Sequence, residues 1–327
     1  MSKRKNRMRI TFVAIILVLA LVMVFSGLRI LESTVFYPDA TEPSRPSKTI
    51  YRDGVGYFPR QDITTVLVMG IDEEGEVADS GSYRNSGEVD MLSLVVLDHT
   101  NESYHILSLN RDTMTEMPVL GLGGKQAGTL YGQLALSHTY GSGLQDSAEN
   151  TKTAVSDMLF GLHIDYYVAL NMDAIGLLND AVGGVTVNVT EDFSAVDPTI
   201  TKGEITLNRE QAMHYVRSRK DVGTQLNLSR MSRHQDYIAG LMTALLEKVS
   251  QSDYFAIRLY EDLSDYMVTD CSAQVVSAVL ERCRKYDLQQ ILTLPGENIR
   301  GEEYYEFYPD KDQMQKIALE LFYAPKE

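Results

Sequence analysis

The sequence predicts an α/β domain, a central mixed β-sheet sandwiched by helices, preceded by one transmembrane helix. Three observations carry this expectation. Short β-rich apolar runs at residues 64–70, 91–97 and 104–109 lack clean alternation, which suits strands covered on both faces. Helical patterns at 150–160, 173–182, 229–249, 273–286 and 310–322 interleave with strand-like runs at 166–170, 185–189 and 291–294. Finally, residues 10–28 form an uncharged run of nineteen residues directly after a tail with five cations and no acid.

In chain order, residues 1–9 read as a cytoplasmic basic tail and 10–28 as the membrane helix. At 1.5 Å per residue that run spans roughly 28 Å, about the hydrocarbon thickness of a bilayer. The flanking cations hold its N-terminal end in the cytoplasm, so the body is expected outside the cell membrane. A cleaved signal peptide would carry a shorter apolar region, and Val24-Phe25-Ser26 is a poor cleavage site. Residues 29–61 read as a stalk, because Pro43 and Pro46 lack donors and fix the backbone. Residues 62–327 make the extracytoplasmic domain, without a visible internal repeat.

Charge restricts the partners. Of the 30 Lys and Arg in the 327-residue chain, five lie in the tail, leaving 25 against 45 acids and a formal net charge of −20 for the remainder. Such a body repels nucleic acid, so any phosphate it binds must meet a local basic cluster. The two cysteines, Cys271 and Cys283, are twelve apart in what reads as one helix, roughly 18 Å along its axis and too far for a disulfide.

That local cluster exists between Tyr215 and Gln235, where Arg217, Arg219, Lys220, Arg230 and Arg233 face one acid, Asp221. Arg230 and Arg233 share a helical face, and Asn227 sits where an N-cap would open the helix. Arg217 and Arg219 share a face only if their segment is extended. Arginine forks suit the oxygens of a dianionic group, and an unliganded cluster of this kind would repel itself. Asn110-Arg111-Asp112-Thr113 follows the apolar run ending at Leu109, at a strand's C-terminal end, where α/β sheets bind ligands. Asp72 and Asp90 flank strand-like runs, and two converging carboxylates suit Mg²⁺ shared with substrate phosphates; each is equally suited to a turn or cap.

Taken in order, Gly70-Ile71-Asp72, Asp90, Leu107-Ser108-Leu109-Asn110-Arg111-Asp112-Thr113 and Tyr215-Val216-Arg217-Ser218-Arg219 resemble the LytR-CpsA-Psr family. Ile164-Asp165-Tyr166-Tyr167, Asp180-Ala181-Val182-Gly183-Gly184-Val185 and the Arg230-x-x-Arg233 pair extend the resemblance over roughly residues 62–250. It implies a cell-wall phosphotransferase that moves a glycopolymer from an undecaprenyl-pyrophosphate carrier onto a peptidoglycan acceptor. It also implies Asp72 and Asp90 as ligands of Mg²⁺ or Mn²⁺, and Arg111, Arg217, Arg219 and Arg230 as the grip on pyrophosphate, with His234 as a further donor. Arg111 and Asp112 are the catalytic candidates, with Asp112 orienting Arg111 or assisting deprotonation. The prenyl chain would lie in an apolar pocket to which Leu228, Met231, Ile238, Leu241, Met242 and Leu245 contribute; each would serve equally as plain core.

The chain departs from the family pattern at several positions. Glu88 stands where an Arg is usual, Gln133 and Ala135 where Lys and Asn are, Asn227 where Asp is common, and His234 where Gln is. These departures motivate an alternative, a paralogue that binds the lipid-linked glycan as a scaffold without turning it over. A transcription regulator fits poorly, since no helix-turn-helix pattern is present and the body is acidic.

Overall fold

The computed structural model describes residues 49–83, 87–121, 124–218, 222, 226–302 and 304–325, without the side chains of residues 226–228. The basic tail, the apolar run 10–28, Arg219 and the side chains of Asn227 and Leu228 lie outside the described set. Among the described residues no helix is long and apolar enough to cross a membrane.

The described residues open with strands β1 (Ile50–Arg52) and β2 (Val55–Pro59), joined through Asp53 and Gly54 at positive φ. They are followed by β3 (Ile63–Ile71), β4 (Val89–Asp98) and β5 (Ser103–Leu109). A hairpin of β6 (Met114–Leu120) and β7 (Gln126–Gln133) leads through a 3₁₀ turn to helix α1 (Gln145–Met158). Then come β8 (Tyr166–Leu170), α2 (Met172–Val182), β9 (Val185–Val189), β10 (Gly203–Leu207) and α3 (Arg209–Arg217). The long α4 (Leu226–Gln251), α5 (Phe255–Leu263), β11 (Met267–Thr269), α6 (Ala273–Lys285) and β12 (Asp287–Thr293) follow. A second hairpin, β13 (Gly296–Arg300) and β14 (Tyr305–Pro309), precedes α7 (Lys311–Phe322) and β15 (Tyr323–Pro325).

Six strands form the central sheet, in the order β11-β8-β3-β4-β5-β12. It is mixed: β3 runs parallel to β8 but antiparallel to β4, and β12 is parallel to β5. Strand periodicity divides the side chains between two faces. Leu67 and Met69 face one core, packed with Ala154 and Val155 of α1 and Ala318 and Phe322 of α7. Val66, Val68 and Gly70 face the other side, which α4, α5 and α6 span. Helix starts follow local chemistry: Asn208 and Gln211 form a reciprocal capping box on α3, and Asn171, Ser272 and Asp310 cap α2, α6 and α7. Gly240 on α4 lies so close to β9 that a Cβ would collide with the Thr186 carbonyl.

Two expectations change. The stalk was expected to reach residue 61, but β1 and β2 form a three-stranded sheet with β15, and Ile50 is buried in the main core. Arg60 secures that junction with ion pairs to Asp62 (2.6 Å) and Asp98 (2.8 Å). Cys271 precedes α6 rather than lying on it, because Ser272 is the cap; it and Cys283 are buried free thiols.

Candidate active site

The sheet and the α4–α6 layer do not close on one another. Between them lies a cavity of about 270 Å³, lined almost wholly by apolar side chains. Ile238, Leu241, Met242 and Leu245 of α4 line it, and Met231 is not among its lining residues. Its apolar walls offer water almost no hydrogen-bond partners, so the space suits an apolar occupant better than solvent. Its few polar lining residues include Asp90, Arg217 and His234.

Asp90 owes its aim to a bulge. Gly70 pairs with Met91 and Ile71 with Val89, so Asp90 is the extra residue on β4. Its Oδ2 accepts from Arg230 Nη1 at 2.7 Å, and its Oδ1 meets Arg111 Nη1. Arg230 is 2% exposed and Asp90 13%. A guanidinium this buried is tolerable only because it is paired.

Arg111 is held by the turn after β5. Asp112 N–H donates to Asn110 Oδ1 (2.9 Å) and Thr113 N–H to the Asn110 carbonyl (3.1 Å), while Ala135 N–H donates to the Arg111 carbonyl (2.9 Å). Its side chain is shared by Glu88, through Nη2, and Asp90, with Asp112 Oδ1 3.5 Å from Nε. Asp112 is fixed in turn by Gln133, whose Nε2 donates to Asp112 Oδ1 (3.1 Å) and to the Tyr305 carbonyl (2.8 Å). The departures Glu88 and Gln133 are therefore both built into the Arg111–Asp112 corner.

Arg217 ends α3 and reaches Glu74 and, at 3.7 Å, Asp72 Oδ1. Asp72 N–H donates to the Glu88 carbonyl (2.9 Å), so the Arg217 and Arg111 groupings adjoin through β3 and β4. The helical geometry of Arg217, with Ser218 extended only as its C-cap, differs from the fully extended segment that would align it with Arg219. His234 Nε2 donates to the Val216 carbonyl at 3.0 Å, steadying α3 against α4 while lining the cavity.

Arg233 does not join the cluster. Its Nε donates to the Tyr215 carbonyl (3.0 Å), another nitrogen to the Ser218 carbonyl, and Nη1 pairs with Glu191, beneath a stacking contact with Phe193. It anchors the end of α3 and so positions Arg217, a role that its spacing from Arg230 did not reveal. The expected self-repelling cationic patch is also corrected: Arg111, Arg217 and Arg230 are each paired with carboxylates from distant segments, Glu74, Glu88 and Asp90 among them.

Could the carboxylates hold a divalent ion? Asp72, Glu88 and Asp90 offer only hard oxygen donors, the set that suits Mg²⁺ or Mn²⁺. Among the described residues no group of three or more His, Cys, Asp or Glu is gathered tightly enough to hold a metal alone. Asp90 gives one oxygen to Arg230 and the other to Arg111, so an ion there would have to displace those arginines and take further ligands from substrate and water. Below the site, His138 Nδ1 donates to the Gly87 carbonyl (2.9 Å) and supports the approach to Glu88; burial pushes its pKa down to about 4.

Fold and site together define a mixed-sheet α/β protein with an apolar interior cavity that opens beside an arginine–carboxylate cluster. The family model for the LytR_cpsA_psr family matches residues 28–322, and the chain belongs to that family. It is 30% identical over 274 residues to the polyisoprenyl-teichoic acid–peptidoglycan teichoic acid transferase TagU of Enterococcus faecalis, covering 83% of this chain and 81% of that one. It is 27% identical to the TagU of Bacillus subtilis, covering 84% and 82%. The crystal structure of B. subtilis TagV superposes with a TM-score of 0.60 at 24% identity, covering 80% of this chain and 96% of TagV.

Proposed function

We propose that this chain is a membrane-anchored phosphotransferase that moves an anionic glycopolymer from an undecaprenyl-pyrophosphate carrier onto peptidoglycan. The observation that carries the reading is the junction of an apolar cavity with Asp90, Arg217 and the Arg111–Arg230 cluster. An amphiphile with a hydrocarbon tail and a pyrophosphate head matches both parts. The relatives named as teichoic acid transferases support the same class of reaction. The apolar run 10–28 would hold the enzyme in the membrane that holds its substrate.

In this reading Arg111, Arg217 and Arg230 exchange their carboxylate partners for phosphate oxygens, with Arg219 as a further donor and His234 steadying the mouth. An acceptor hydroxyl attacks phosphorus, its proton passes to Asp112, and the bond to the prenyl-phosphate leaving group breaks. The product is a phosphodiester plus prenyl monophosphate. Phosphoryl transfer asks a protein mainly for positioning and charge neutralisation, which the pinned turn at Arg111 supplies. Asp72 and Asp90 would hold Mg²⁺ or Mn²⁺, which when bound supplies positive charge to phosphate oxygens.

The test is transfer itself: purified chain, undecaprenyl-pyrophosphate-linked glycopolymer and peptidoglycan should yield polymer covalently attached through a phosphodiester, and Arg111→Ala should not. One observation favours a second reading, a lipid-glycan scaffold: Glu88 occupies Arg111. Tight lipid binding by wild-type protein with no transfer would select it, and Glu88→Gln would then leave transfer absent.

A further inference from the structure

The hairpins β6–β7 and β13–β14 adjoin at the Arg111–Asp112 corner. Thr113 bridges Phe307 in parallel register, Phe307 N–H donates to the Asp112 carbonyl (2.9 Å), and Gln133 ties Asp112 to Tyr305. Strand alternation then sorts their side chains. On the face opposite Phe307 and Thr113 stand Tyr308 and Glu306 of β14, Ile299 and Glu297 of β13, and Glu116 with its cross-strand partner Tyr131. Tyr131 is 56% exposed, Tyr308 37% and the adjacent Tyr304 44%. Tyr308 Oη donates to Glu306 Oε2 at 2.7 Å; that carboxylate pushes the phenol up to about 12, with smaller contributions from Tyr131 and Tyr304.

We propose that this face is a platform for a neutral glycan strand, which on the transfer reading above is the acceptor. Exposed tyrosines present flat rings to the C–H faces of sugars and hydroxyls to their polar edges. Carboxylates accept hydrogen bonds from sugar hydroxyls. Every charged residue of the four strands on this face is an acid, since Arg300 stacks on Tyr305 on the opposite side. Three acids repel both an anionic donor polymer and an anionic lipid surface, while the exposed tyrosine rings between them offer an uncharged glycan its stacking contacts. The link through Gln133 places that chain beside Asp112, the group proposed to take the acceptor's proton.

The test titrates the detergent-purified full chain with a β-1,4-linked N-acetylglucosamine tetrasaccharide, a neutral probe. Wild-type protein should bind, and the double variant Tyr131→Ala/Tyr308→Ala should lose at least about tenfold in affinity. Tyr131→Phe/Tyr308→Phe should retain most of it, because the rings remain. All should melt as wild type, since both tyrosines are exposed. No binding at millimolar probe, or equal binding by the double Ala variant, overturns the platform. So does loss of binding to phosphatidylglycerol vesicles in place of the glycan. Wild-type protein that binds the tetrasaccharide but no prenyl pyrophosphate refutes the transfer reading and spares the platform.

Discussion

Arg111→Ala removes a guanidinium shared by Glu88, Asp90 and Asp112. Breaking a fully buried pair costs about 3–5 kcal/mol, because the partner is left charged and unpaired. Here the loss is smaller. Glu88 is 40% exposed and rehydrates, Asp90 keeps Arg230 at 2.7 Å, and Asp112 keeps Gln133 at 3.1 Å. A destabilisation of about 2 kcal/mol follows, or roughly 4–8 °C in melting temperature. That is the reverse of the relief a self-repelling arginine cluster would give. On the ligand side, a charge-assisted hydrogen bond worth about 1.5–3 kcal/mol is lost, so affinity for undecaprenyl pyrophosphate should fall about ten- to a hundredfold. Arg111→Lys should recover only part of both, since an ammonium cannot fork between two carboxylates or two phosphate oxygens. Circular-dichroism melts and titration calorimetry on the same samples read both quantities. An unchanged melting temperature would refute the ion-pair account, and early melting with unaltered lipid affinity would refute the phosphate site.

Other outcomes are equally checkable. Asp90→Asn should weaken Mg²⁺ affinity measured by calorimetry with pyrophosphate ligand present; unchanged affinity counts against Asp90 as a ligand. Leu241→Trp should fill part of the cavity, holding or raising the melting temperature while displacing lipid; undiminished lipid retention would show that the tail lies elsewhere. His99, His105 and His138 are all held below the usual imidazole range by burial, so the unfolded chain binds more protons than the folded one below about pH 6.5. Stability should therefore fall as pH drops from about 6.5 towards 4, and His138→Asn should flatten that slope; a slope indifferent to the substitution would remove His138 from the account. A reporter fused after Glu327 should be active outside the cytoplasm, and a protease-protected C-terminus in protoplasts would overturn the topology.

The parts of the fold legible in the sequence were those that bury apolar side chains with a regular period. β3, β4, β5, β8 and β9 coincide closely with apolar runs, and α2 and α7 begin where Asn171 and Asp310 offer caps. The two hairpins at the site left no such trace, because β7 is exposed along its first six residues and β13 on both faces, and neither carries a core stripe. The β1–β2 hairpin did carry a signal in Asp53-Gly54, which the prolines upstream obscured. At the site, motif order located Arg111, Asp90 and Arg230, but not their pairing. Glu74, Glu88 and Glu191 come from segments distant in the chain, and the bulge that aims Asp90 is a matter of register between β3 and β4. Arg230 and Arg233 look equivalent on a helical wheel; only the neighbours that α4 meets, Asp90 for one and the end of α3 for the other, separate them.

The central claim is that the cavity holds a prenyl tail with its phosphates at the arginines. Mass spectrometry of lipid co-purifying with the full chain tests it most directly, with the Arg111→Ala and Leu241→Trp variants prepared in parallel. The account predicts an undecaprenyl-type phosphate or pyrophosphate on the wild-type protein, depleted in both variants. Reproducible absence of such a lipid, or its equal recovery from all three proteins, would contradict it.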